Sequence, residues 1–120
     1  MNSPATATAR PSVLSLNIKE KSALYAAFMP NLKNGGIFIP TSKEYQLGDQ
    51  VYMLLSLMDD PAKMPIAGRV VWITPKGAQG NKQQGVGVEF SGDEAGLSVK
   101  RKIENLLGAA LGSSRATHTL

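Results

Sequence analysis

Hydrophobic and polar positions exchange along this 120-residue chain with a period that changes from segment to segment. From Val13 to Ile18, the apolar residues Leu14, Leu16 and Ile18 alternate, which predicts a strand with one buried face. Ser22 to Met29 (SALYAAFM) admits two readings. Leu24 and Phe28 stand four apart, as on a helix, yet Leu24, Ala26 and Phe28 also alternate. Pro30 ends the segment either way, because proline biases its predecessor away from helical backbone. Asn34-Gly35-Gly36 is a turn signal opening the short apolar strand Ile37 to Pro40.

Gln46-Leu47-Gly48-Asp49 predicts the next turn. Gln50 to Leu57 (QVYMLLSL) then reads as apolar on both faces, hence as a well-covered strand. After the turn Asp59-Asp60-Pro61 comes the β-branched strand Ile66 to Thr74, in which Gly68 suggests a bulge or a barrel corner. Pro75 to Gln84 is a polar loop, and Val86, Val88 and Phe90 alternate in the strand beyond it. Only the end is helical in pattern. Ser91 with Glu94 matches a capping box, Val99, Ile103, Leu106, Leu107 and Ala110 share a face, and Gly112 is the expected stop.

Five or six short strands followed by one amphipathic helix predict a mainly β fold. The expectation is a small barrel or sandwich, with the C-terminal helix over an open end or side. Residues 1–11 form a polar lead-in expected to be disordered, 12–112 a single domain including the helix, and 113–120 a flexible tail.

Composition narrows the possible functions. Hydrophobic residues make up 42% of the chain, as in a globular domain, and the absence of cysteine removes disulfides and thiolate metal sites. No apolar run approaches the roughly 20 residues that cross a bilayer, and Met1 to Pro11 lacks a signal-peptide core. The expected location is therefore the cytoplasm, without membrane insertion. The net charge of +4 is scattered; only Lys100-Arg101-Lys102 form a run, fanned around a helix axis. A small barrel can bind oligonucleotides, but no basic stripe interleaved with aromatics points to nucleic acid here.

Candidate chemistry is sparse. His118, the one histidine, lies three residues from the end, and Asp59 and Asp60 adjoin a proline in a turn. Gly77, Gly80, Gly85 and Gly87 match neither GxxxxGK[ST] nor GxGxxG, so they read as loop and strand-corner glycines. Catalysis, a metal site and a cofactor are not expected. Large apolar residues remain: Tyr25, Phe28, Met29 and Trp72. Alternation sets Trp72 opposite Val71 and Ile73, leaving it as either a core anchor or an exposed hot spot.

The segments VLSLNIKEKSALYAAFMPNLKNGGIFIPT, YQLGDQVYMLLSL, AGRVVWITPKGAQGN and GVGVEF resemble the PilZ-domain family, specifically its type IV pilus assembly branch. The resemblance runs from about Pro11 through RKIENLLGAAL to ATHTL. It implies a six-stranded β-barrel with a C-terminal helix. Most members bind cyclic di-GMP through an RxxxR segment followed by D/N-x-S-x-x-G, in which arginines grip phosphate and stack on guanine.

This sequence departs from that pattern. Arg10 is the only arginine ahead of the second motif, where Asn31 and Gly36 match but Lys33 replaces serine. Cyclic di-GMP binding is therefore not expected, and Asn31 and Gly36 are read as building the turn. The resemblance implies an adaptor that binds the pilus extension ATPase and a regulator with a degenerate EAL domain, in the control of twitching motility. Tyr25, Trp72 and the tail residues Thr117, His118 and Thr119 are the candidate ATPase contacts. A direct cyclic di-GMP receptor is the main alternative.

Overall fold

The alternating segments form strands and the C-terminal pattern forms a helix in the computed structural model, which describes residues 12–58, 60–77 and 83–108. In chain order the elements are β1 (Ser12–Ile18), α1 (Lys21–Ala27), β2 (Gly36–Pro40), β3 (Gln50–Leu57), β4 (Met64–Thr74), β5 (Gly85–Phe90) and α2 (Glu94–Leu107). The strands make one curled sheet in the order β1-β3-β4-β5-β2. β1 runs parallel to β3, and the other pairs are antiparallel. Five strands are present among the described residues where six were expected. With β1 and β2 at opposite ends of the order, they form a half-barrel rather than a closed one.

Register explains the core. Leu14, Met53 and Ile66 lie side by side across three strands, and Leu16, Leu55 and Met64 form the adjoining row. Val70, Val88 and Ile37 continue the same inner face toward β2. Met53, Leu55, Val88 and Ile37 have no exposed surface at all. Helix α2 lays Val99, Ile103 and Leu107 onto this face, and α1 adds Leu24, Tyr25 and Ala27. Each large apolar side chain so buried contributes about 1.5–3 kcal/mol.

Both readings of SALYAAFM hold in part. The helix α1 ends at Ala27, and Phe28 is already extended, forming an antiparallel bridge with Ile37. The Met29 N–H donates to the Gly36 carbonyl at 2.9 Å, so the chain leaves the helix as a short extension of the sheet beyond β2.

Other expectations need correction. β3 is not covered on both sides: Tyr52 is half exposed, because Gln50 and Tyr52 point away from the face that carries Val51 and Met53. Gly68 is not a bulge. A side chain there would meet the Val88 side chain at 2.5 Å and the Glu89 carbonyl at 2.7 Å, so it marks a close crossing of strands. The α2 cap is Asp93 rather than Ser91. The Asp93 carboxylate accepts from the Gly96 N–H at 3.0 Å, while the Ser91 hydroxyl donates to that same carboxylate at 2.7 Å. With the cap two residues later, Glu94 becomes the first helical residue and cannot reach back as a capping-box partner. The helix closes on Gly108, whose φ of 51° suits glycine, ahead of the expected Gly112. Ala110 and Gly112 lie outside the described residues.

The bond from the Gly96 N–H, and secondarily that from Ser91, holds the Asp93 carboxyl below the usual carboxylate range. A depressed folded value means that the cap's contribution is present above that range. It is lost as pH falls through the folded value. Asp93→Asn retains the capping oxygen without the titration. Thermal melts in acid should therefore fall less steeply with pH for the variant than for the native chain; parallel acid limbs would remove Asp93 from the account.

Candidate interaction surface

The side of Trp72 is decided by a count of residues. Val70 pairs with Val88, but the next β4 residue in register is Trp72, which pairs with Gly87. Two residues on β4 thus advance against one on β5, a β-bulge with Val71 as the extra residue. In an uninterrupted strand, Val70 and Trp72 would share a face and the indole would enter the core. The bulge sends Trp72 to the outer face instead, opposite Gly87, which itself lies opposite Phe38 of β2.

A small apolar cluster forms there. Phe38 and Met29 are buried, and Trp72 is half-buried beside them. The β5 glycines make the room. A Cβ on Gly87 would stand 2.7 Å from Met29 Sδ and 2.8 Å from Trp72 Cβ, and one on Gly85 would stand 2.5 Å from Phe38 Cζ. The indole Nε1–H donates to Thr74 Oγ1 at 2.9 Å, which fixes the ring orientation and satisfies its one polar group. A pre-ordered, partly exposed tryptophan loses little freedom on binding a partner.

The motif-like loop joins α1 to β2, and a Cβ on its Gly35 would stand 2.9 Å from Lys100 Cγ of α2. Asn31 and Lys33 are exposed in the α1–β2 connection. Gly35 has a φ of 73°, so the turn rests on it, while Gly36 already belongs to β2. A Cβ on Gly36 would approach the Val88 carbonyl at 2.5 Å. Gly36 therefore serves strand approach rather than the turn, which corrects the role expected for it. Glu89, opposite Gly36, accepts from the Asn34 N–H at 3.3 Å and stands 3.8 Å from Arg69 Nη2. Arg69 is the one arginine of the described sheet, and its side chain is 63% exposed. Ahead of the loop, an RxxxR containing Arg10 would need arginine where Thr6 or Leu14 stands.

A family model, the PilZ domain, matches residues 8–109. The chain belongs to the PilZ-domain family. No curated protein matches it significantly. PilZ domains are in general binding domains without catalytic activity and act in cyclic di-GMP-related signalling, as receptors or adaptors.

Within this PilZ domain, the candidate contact residues separate. Trp72 is accessible, whereas Tyr25 is buried in α1 with 8% of its surface exposed. Thr117, His118 and Thr119 lie outside the described residues, as does Asp59. Sequence reasoning missed the outer face of β1, β3 and β4, where Val13, Tyr52 and Ala67 form a row and Ser15, Leu54 and Pro65 the next. Val13 is 62% and Tyr52 50% exposed, and no charge falls among these six residues. The parity of Gln50, Tyr52 and Ser56 carried the signal.

Carboxylates serve structure here. Asp60 accepts from Lys102 Nζ at 2.8 Å and from the Ala62 N–H at 2.9 Å, tying the β3–β4 turn to α2. The Lys102 bond, more than the backbone one, holds its carboxyl below the usual range. Among the described residues no three His, Cys, Asp or Glu gather as a metal would require, and no helix is long and apolar enough to cross a membrane.

Gly87→Ala should push a methyl against Trp72 and Met29 and destabilise the fold by about 1–3 kcal/mol. Because Trp72 is the single tryptophan, its fluorescence maximum should shift to the red as the ring is displaced. An unchanged melt and spectrum would contradict the packing described.

Proposed function

We propose that this PilZ domain is a non-catalytic adaptor in type IV pilus biogenesis, acting in the cytoplasm. It would bind the pilus extension ATPase and a degenerate EAL-domain regulator that senses cyclic di-GMP on its behalf. The observation that carries this reading is the missing arginine pair. The loop of Asn31, Lys33 and Gly36 has only Arg10 ahead of it, and a lysine ammonium cannot supply the planar fork that grips phosphate and stacks on guanine. The likeness of the segments LYAAFMP, GGIFIPT and WITPKGAQGN to the pilus assembly branch supports the choice of partners.

The ATPase contact centres on Trp72, with Met29 and Thr74 holding the ring from below and beside. Thr117, His118 and Thr119 extend that contact if the tail orders on binding. Tyr25 acts through the packing of α1 rather than by touching the partner. One observation favours the receptor alternative: Arg69 is exposed beside Gly36 and Glu89, where a nucleotide could draw it from its carboxylate.

Isothermal titration with cyclic di-GMP should give no heat, and titration with the extension ATPase should give saturable heat. Trp72→Ala should weaken the ATPase complex by roughly 30-fold or more, the loss expected of a hot-spot tryptophan, with the fold retained. Saturable nucleotide binding that Arg69→Ala removes would establish the receptor reading instead.

A further inference from the structure

The two edges of the sheet are treated differently. At the β2 edge, Phe28 bridges to Ile37 and the Met29 N–H bonds the Gly36 carbonyl, and Pro40 ends the strand. Among the described residues, β1 has none of the devices that normally blunt an edge. Ser12 to Ile18 contains no proline and no charged residue, and its register with β3 runs through seven pairs without a bulge.

Hydrogen-bond phase shows which β1 groups are left over. The Ile18 carbonyl accepts from the Met58 N–H at 2.7 Å, so Ile18 turns its backbone toward β3. In a parallel pair alternate residues do the same, which assigns Leu14 and Leu16 to β3 and turns Val13, Ser15 and Asn17 outward. No backbone bond outside the sheet involves these three residues among the described ones, and all three are exposed.

We propose that β1 is a self-pairing edge, by which two copies of the chain join antiparallel about a two-fold axis at Ser15. That axis sets Val13 opposite Asn17 of the second copy and Ser15 opposite itself. These are all outward-facing residues, and each such pair can exchange two backbone hydrogen bonds. The same register sets Leu14 opposite Leu16 of the second copy on the inner face, where each is only half-buried in the single chain. No like charges meet, and the serine hydroxyls can bond each other. The result is an isologous contact that carries the sheet from one copy into the next. Trp72 lies in β4, separated from β1 by β3, so the pairing leaves its cluster free.

Sedimentation equilibrium of the full chain tests the pairing. The weight-average mass should rise from 12.7 kDa toward twice that value as concentration approaches about 1 mM. Ser15→Pro removes an outward N–H and leaves the β3 ladder intact, so it should hold the chain monomeric. Ser15→Lys, which opposes two ammonium groups at the axis, is the second variant should the first disturb β1. Amide exchange at Val13, Ser15 and Asn17 should also slow with concentration, while Leu14 and Leu16 stay unchanged. A native chain that remains monomeric throughout, or a dimer that survives Ser15→Lys, would overturn the proposal.

Discussion

Between Val70 and Trp72, β4 holds one residue more than the strand beside it, and the outer surface is organised around that mismatch. A strand offers only two faces, so a single inserted residue exchanges them for everything downstream. Upstream of Val71, β4 sends Ile66 and Val70 into the core; downstream, Trp72 and Thr74 stand on the outer side with Gly87 and Gly85. The glycines are the second half of the device. Without Cβ atoms on β5, Phe38 and Met29 can lie close to the sheet and form a floor for the indole. Polar satisfaction completes it, since Thr74 takes the one indole hydrogen bond at a site partly withdrawn from water.

Much of this was legible in advance. Leu14, Leu16 and Ile18, and likewise Val86, Val88 and Phe90, report their faces because alternation over a half-covered sheet is a direct consequence of pleating. Val99, Ile103 and Leu107 do the same for α2. The bulge was not legible. Val70-Val71-Trp72-Ile73 is apolar throughout, so its pattern contains no break in phase, and only pairing with β5 reveals the extra residue. Gly68 drew attention as an irregularity, yet its role depends on Val88 from a neighbouring strand. The cap moved from Ser91 to Asp93 for a similar reason, since serine and aspartate are both good caps and the competition is settled by local geometry.

On the adaptor reading, the family motif and the partner-binding surface lie apart in this PilZ domain. The loop from Asn31 to Gly36 retains its backbone role: Gly35 adopts the left-handed turn and Gly36 admits the Val88 carbonyl. What the loop lacks is charge of the right shape, because Lys33 is a flexible point charge and Arg69 faces Glu89. On the adaptor reading, recognition has passed from forked cations at this loop to an apolar, pre-ordered ring on β4, two strands from β2. That exchange suits a protein partner better than a charged nucleotide.

Nitrogen-labelled NMR of the chain, followed as the pilus extension ATPase is added, tests this division of labour most directly. The indole N–H of the single tryptophan gives one isolated resonance, and the amides of Lys33, Asn34 and Gly35 report the loop. The account predicts that the Trp72 indole signal and the Thr74 amide broaden first, with the loop amides unmoved and nothing shifting when cyclic di-GMP is added alone. Loop amides that shift with cyclic di-GMP while the indole stays sharp in the presence of the ATPase would contradict it.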